Sequence, residues 1–318
     1  MIINNLKKFA SMKLLFIHIL IFSCFYSTVL GQNSEEYYEQ SKKYLRENAF
    51  GPAFEAINKY LELQPQAPKG YLTKGLIEYK SGNPLGAITN FDKAISLNPR
   101  YLEAYYNRAL LRAGMKQDSL AVIDFSKIIE IEPQSPPAVF FERAKAYFNL
   151  QKIEASLQDF SQTIKLNPAS AIAYQNRARI YYLQKKNDLA LADLKLAIQY
   201  KPNYEDALDL RSHIYWETQQ YALMLNDIDI LLKMNPYNWS AFLKRGIVLV
   251  QQNQMEAALK DFNRVIEKKA EGYEAEAYLQ RGKAYLVLKN KELACADFAQ
   301  ALSFGHLEAE SLKNENCK

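Results

Sequence analysis

Residues 102–133 read LEAYYNRALLRAGMKQDSLAVIDFSKIIEIEP, and most of the chain is a variation on this phrase. Ala109 and Ala121 are small, Phe125 is large and apolar, and Pro133 stops a helix-compatible run because it has no backbone N–H to continue the ladder. Pro133 belongs to a series, Pro65, Pro99, Pro133, Pro168, Pro202 and Pro236, with spacings of 34, 34, 35, 34 and 34 residues. A period of this length is the mark of a repeat array rather than of an ordinary globular core.

The other parts of the phrase keep the same register. Twenty-four residues before each proline stands a small residue: Ser41, Gly75, Ala109, Ala144, Ala178 or Ser212. Twelve before it come Ala53, Ala87, Ala121, Ser156, Ala190 and, as the exception, Met224. Small side chains at two such points let antiparallel helices approach closely, while Ile57, Phe91, Phe125, Phe160, Leu194 and Ile228 fill the space alongside. The frame continues through Gly246, Ala258 and Phe262, then Gly282, Ala294 and Phe298, with Ala270 and His306 where the terminating proline would be. This makes eight units, and the spacing varies only near Pro136-Pro137 and near 271–274, where turns tolerate insertion.

The spacing and the phrases Tyr105-Tyr-Asn-Arg-Ala109, Tyr174-Gln-Asn-Arg-Ala178 and Ala258-Leu-Lys-Asp-Phe262 resemble tetratricopeptide repeats, over residues 34 to about 306. The resemblance implies an all-α, right-handed superhelical solenoid of eight helix-turn-helix repeats over 34–304. It also implies that the concave groove commonly holds a peptide or helix of a partner. No single repeat buries its own apolar face, so the array is expected to be one cooperative domain, closed by a capping helix and tail over 305–318.

Projecting the family's groove positions onto this chain selects Tyr38 and Lys42, Leu72 and Tyr79, Tyr106 and Leu110, then Phe141, Lys145 and Phe148. Further along they are Gln175, Arg179 and Tyr182, His213 and Trp216, then Leu243 and Ile247. Aromatics interleaved with cations suit an extended peptide or an amphipathic helix. Tyr38, Phe141, Arg179 and Trp216 are the foremost ligand candidates, whereas Tyr106, Phe148 and Tyr182 have packing between neighbouring repeats as their alternative. The clamp by which some relatives hold an acidic carboxyl-terminal peptide needs a Lys and Asn set that this chain lacks. A groove ladder of Asn is kept only at Asn107 and Asn176.

A charged pair also recurs. Arg108, Arg143, Arg177, Arg211, Arg245 and Arg281 are each followed 16 residues later by Asp124, Asp159, Asp193, Asp227, Asp261 and Asp297. One reading is an Arg ladder that grips an acidic ligand. The other is an ion-pair ladder stitching helices together, preferred because both signs recur in equal number. The first two repeats carry Gln40 with Ala56 and Lys74 with Asn90 instead, so that end is expected to be held differently.

Residues 1–31 read as a secretory signal, with Lys7, Lys8 and Lys13, an apolar stretch from Leu14 to Tyr26, and a small-residue exit at Gly31 before Gln32. An apolar run of about 13 residues falls short of the roughly 20 that span a bilayer, so no transmembrane helix is expected in the mature chain. Met12 is an alternative start, and Cys24 offers a lipid-anchor alternative to cleavage after Gly31. The implied location is the periplasm or the outer-membrane surface.

The chain has 40 basic and 35 acidic residues, and the leader holds three of the cations and no acid, which leaves a net of +2. No run of Lys and Arg in the body forms the concentrated face a nucleic-acid partner requires. Outside the leader only His213 and His306 remain, and there is no phosphate loop or Cys-x-x-Cys, so neither a cofactor, a metal nor an enzyme activity is expected. In an exported chain Cys295 and Cys317 form a disulfide that staples the cap, against the alternative of two free buried thiols. The resulting expectation is an exported protein-protein interaction scaffold that binds a protein or peptide. The alternative is a lipid-anchored structural subunit of an envelope assembly.

Overall fold

The computed structural model describes residues 34–317. The leader, with Met12, Cys24 and the cut after Gly31, lies outside the described residues, as does Lys318. The described residues form helices and turns and no strand. They pair as eight hairpins, each a first helix followed by a second. Hairpin 1 is α1 (34–46) with α2 (Phe50–Leu63), and hairpin 2 is α3 (Pro68–Lys80) with α4 (Pro84–Leu97). Hairpins 3 and 4 are α5 (Leu102–Gly114) with α6 (Asp118–Ile131), and α7 (Pro137–Asn149) with α8 (Ile153–Leu166). Hairpins 5 and 6 are α9 (Ala171–Leu183) with α10 (Asn187–Tyr200), and α11 (Glu205–Glu217) with α12 (Tyr221–Met234). Hairpins 7 and 8 are α13 (Trp239–Gln251) with α14 (Met255–Glu267), and α15 (Glu274–Val287) with α16 (Lys291–Ser303). A last helix, α17 (Leu307–Asn316), packs on α16.

The chain divides into two compact units, one ending at Leu166 and one beginning at Asn167. Within each, every second helix lies against its own first helix and against the first helix of the next hairpin. The small residues found in the sequence mark the closest approaches: Ala53, Ala87, Ala109, Ala121, Ala144, Ala178, Ala190 and Ala258 are all fully buried. The fillers lie beside them, with Ile57, Phe125, Leu194, Ile228, Phe262 and Phe298 also inaccessible. At Gly246 the Phe262 ring occupies the place of a side chain, so that a Cβ there would stand 2.5 Å from the ring. Gly75 and Phe91 are related in the same way.

Every turn inside a hairpin places one residue in the left-handed region: Asn48, Gly82, Lys116, Gln151, Lys185, Gln219, Asn253 and Lys289, with φ between 57° and 89°. The next residue then donates its N–H back to a carbonyl five residues earlier, as Gln117 does to Arg112 at 2.8 Å and Lys152 to Tyr147 at 2.9 Å. This closure satisfies carbonyls that a helix end leaves without partners. Only Gly82 adopts that conformation without a Cβ, so the other seven turns store a small strain.

Cys295 and Cys317 are joined by a disulfide between α16 and the end of α17. Ala309, Leu312 and Cys317 pack on Leu279, Phe298 and Ala301, so α17 covers the apolar face of hairpin 8. Among the described residues no helix is long and apolar enough to cross a membrane.

Candidate functional site

The recurring charges lie inside the hairpins. Arg143 on α7 and Asp159 on α8 meet side by side, Nε donating to Oδ2 at 2.7 Å and Nη2 to Oδ1 at 2.9 Å. The same fork joins Arg177 to Asp193, Arg211 to Asp227, Arg245 to Asp261 and Arg281 to Asp297, at 2.6–2.8 Å. Arg108 grips Asp124 likewise, and Arg112 adds a further bond to that carboxylate at 2.7 Å. The aspartates are 1–6% exposed, so these carboxylates are not available to an outside ligand. Burial alone pulls the Arg143 guanidinium down, but the Asp159 hydrogen bonds outweigh it and the net shift is upward. At Arg177 and Arg245 the carboxylate bond is itself the largest influence.

The remaining nitrogen reaches across hairpins. Arg143 Nη1 donates to Ser126 Oγ at 3.1 Å, Arg245 Nη1 to Asp229 at 2.9 Å and Arg281 Nη1 to Asn263 at 2.5 Å, while Arg108 Nη1 pairs with Asp92. These four guanidinium groups thus bond both within their own hairpin and to the one before. Aromatic rings flank the ladder as well. Arg143 lies 5.9 Å from the Phe140 ring and 5.5 Å from Tyr147. Arg177 lies 5.8 Å from Tyr174 and 5.9 Å from Tyr181, and Arg281 is 5.3 Å from Tyr278 and 5.9 Å from Tyr285. These rings were not among the expected site residues, although their spacing marks them: Tyr147, Tyr181, Tyr215 and Tyr285 each fall four residues after a ladder arginine, on the same helix face.

The aromatic candidates are mostly half-buried on the first helices. In the first unit Tyr38 packs 5.1 Å from Tyr60, Tyr106 meets Phe125 edge-on at 6.0 Å, and Phe141 meets Phe160 at 5.6 Å. Lys145 is exposed, pairs with Glu142 at 2.9 Å and reaches over the Phe141 ring. Phe148 is half-buried further along α7. Tyr106 lines an apolar pocket of about 360 Å³ with Leu102, Ile128, Pro136, Ala138 and Val139, and Glu103 and Glu132 stand at its edge. Burial, then the charge of Glu142, pushes the Tyr106 hydroxyl up.

In the second unit Tyr182, His213 and Glu217 come together. The Tyr182 hydroxyl donates to Glu217 at 3.0 Å, its ring lies edge-on to His213 at 5.7 Å, and His213 Nε2 stands 3.6 Å from Glu217. Glu217 was not among the sequence candidates. Burial raises the Tyr182 pKa, and the Glu217 bond adds to it. Trp216 packs edge-on against Tyr221 at 5.9 Å, and Arg179 is exposed. Three projected groove positions turn inward instead: Leu72, Gln175 and Leu243 are buried.

Family models of the tetratricopeptide repeat match residues 75–115, 102–135, 141–206, 212–278 and 275–304. The human mitochondrial import receptor subunit TOM70 is 26% identical over 141 residues, which is 43% of this chain and 23% of that protein. Across four curated relatives the matched segment spans 6% to 30% of the relative's own length. Among solved structures, the C-terminal part of a repeat protein from Cytophaga hutchinsonii has a TM-score of 0.65 at 17% identity, covering 74% of this chain and 97% of that one. YrrB, described as a repeat protein with an unusual peptide-binding site, has a TM-score of 0.52 at 18% identity, covering 59% of this chain and 97% of its own. These likenesses concern the fold, and together with matches over most of the sequence they mean that this chain belongs to the tetratricopeptide repeat family.

Proposed function

We propose that the protein is an exported interaction scaffold that holds a protein or peptide along the first helices of its hairpins, a binding rather than a catalytic role. The observation that carries this reading is the pocket beside Tyr106, about 360 Å³ of apolar wall with carboxylates at its edge. It has the size and lining of an anchor site for one apolar side chain. Phe141 and Lys145 lie one hairpin further along, and Tyr182, His213 and Trp216 give the second unit a comparable aromatic surface. Family membership and the peptide-binding description of YrrB support a protein partner. Export rests on the signal-like residues 1–31, with Cys24 as the site of a lipid anchor in the alternative envelope assembly.

The test is site-specific photocrosslinking in intact cells, with a photoreactive residue at Phe141, at Trp216 and, as control, at Ile123, which is 60% exposed on α6. Adducts at the first two positions and none at Ile123 support the reading; adducts at Ile123 alone overturn it. Intact mass of the native protein decides the export half. Cleavage before Gln32 supports a free exported scaffold, lipid on Cys24 moves the protein to the anchored alternative, and an uncut leader rejects both.

A further inference from the structure

The arginine ladder is a set of near-copies, and hairpin 7 lacks a ring that hairpins 4, 5, 6 and 8 possess. Arg143, Arg177 and Arg281 each lie between two rings, one three residues before and one four residues after. Arg211 keeps the later ring, Tyr215 at 5.9 Å. At Arg108 the later place is taken by Arg112, which binds Asp124 itself. Arg245 keeps the earlier ring, Phe242 at 5.5 Å, but four residues later the chain has Leu249. Leucine fills less of the space, and a cavity of about 490 Å³ opens there between α12 and α14, with Phe242, Arg245 and Leu249 of α13 in its wall.

Leu225 and Ala257 add apolar wall, and the rest of the lining is polar and cationic. Gln252, Gln254, Lys260 and Arg264 line it, and its two carboxylates, Asp229 and Asp261, are already bound to Arg245 at 2.9 Å and 2.8 Å. Lys260 is exposed, and among the described residues neither it nor Arg264 has a carboxylate partner. The Arg264 guanidinium instead covers the Phe242 ring at 4.8 Å and reaches the Pro236 carbonyl at 3.5 Å. An apolar recess beside an already oriented guanidinium, with two cations in its wall that have no carboxylate partner, is complementary to an aromatic ring flanked by negative charge.

We propose that this cavity receives an aromatic side chain from a partner protein, on a segment with carboxylates on both sides of the ring. The ring stands where hairpins 4, 5, 6 and 8 place their own tyrosine, stacked on Arg245, and the flanking carboxylates meet Lys260 and Arg264. This surface is lined by α12, α13 and α14 and shares no residue with the surface around Tyr106, Phe141, Tyr182 and Trp216 proposed above to hold a peptide.

The experiment is fluorescence anisotropy of a dye-labelled peptide, Gly-Ser-Asp-Glu-Tyr-Glu-Asp-Ser-Gly, titrated with the full chain. Saturable binding is expected, weakened at least about tenfold when the peptide's Tyr is replaced by Ala, as for an anchoring aromatic. Leu249→Tyr, which supplies the ring from within, should abolish binding and raise Tm. Lys260→Glu, at an exposed position, should weaken binding without lowering Tm, and it decides the matter if the first variant does not fold. Ile123→Ala, at an exposed position on α6, should leave binding unchanged. Absence of saturable binding, equal binding of the Ala peptide, wild-type affinity in folded Leu249→Tyr or in Lys260→Glu, or loss of binding in Ile123→Ala would each overturn the proposal.

Discussion

Hairpins 1 and 2 are joined by lysine and tyrosine at the surface, whereas hairpins 3 to 8 are built around buried aspartates. In the first region Lys69 lies 4.3 Å above the Tyr38 ring and 5.6 Å from Tyr60, and pairs with Glu35 at 2.8 Å. Lys74 stands where later hairpins have their arginine, but it passes Asn90 by and bonds Asn58 of hairpin 1 at 2.8 Å. Asn90 in turn bonds the Gly86 carbonyl of its own helix. The side chains of Lys69 and Glu35 are 39% and 52% exposed, so water and salt screen their attraction. Asp159 and its partner Arg143 are 8% and 16% exposed, so solvent screens their attraction far less. The contrast teaches that one backbone repeat accepts two kinds of join, one cheap to break and one costly.

The most direct way to break this comparison is Asp159→Ala, which strands the Arg143 guanidinium among rings and helices. It should cost about 3–5 kcal/mol in denaturant unfolding. A loss below about 1 kcal/mol would mean that the ladder does not hold the hairpins. Next is the other end of the molecule, where Cys317→Ser opens a loop of 22 residues. That should cost about 3 kcal/mol, read as a lower Tm and faster hydrogen exchange confined to α17. Lys69→Ala should cost at most about 1 kcal/mol, and less still in high salt. If its cost matched that of Asp159→Ala, the two regions would not differ in the way described.

The gentlest probe is alkaline pH. Burial, aided by Glu103 and by Tyr38 and Tyr60, pushes Tyr101 up to about 12, from an ordinary value of 10.0. Its neutral form is favoured by folding, so its contribution is intact below pH 10 and declines as pH rises towards 12. Lys69 shifts upward too: burial opposes its charge, but the Glu35 bond and the fields of Tyr60 and Tyr38 prevail, so its contribution also fades above its ordinary 10.5. The ladder arginines are raised further above their already high ordinary value and stay charged over that interval. Hydrogen exchange in α1 to α3 should therefore accelerate between pH 10 and 12 before Trp216 and Trp239 fluorescence changes. Simultaneous change would dissolve the distinction.

The hairpins were legible because small residues, fillers and prolines each impose a local requirement that recurs at fixed spacing, from Ser41 to Phe298. The pairing of Arg108 with Asp124 was legible for the same reason, since both lie in one hairpin and no insertion falls between them. The third arginine bond was not. Asp92, Ser126, Asp229 and Asn263 occupy one place with different chemistry, and only packing of successive hairpins reveals the shared role. Nor could the sequence show that Leu72 and Leu243 turn inward while Tyr79 is 54% exposed, because a groove position shares its helix with packing positions less than one turn away. Lys116 and Lys185 in left-handed turns were hidden because nothing in a lysine announces that conformation.

The helix α17 has a consequence for assembly. A stack of hairpins grows in one dimension, and each exposed terminal face is a template for the next layer. With Ala309 and Leu312 lying on Leu279, Phe298 and Ala301, and Cys317 tied to Cys295, that template is occupied and locked. The helix acts as a chain terminator: copies of the protein have nothing to add onto at this face while the bond is oxidised. Without the bond, α17 would keep its place on that face by the packing of Ala309 and Leu312 alone.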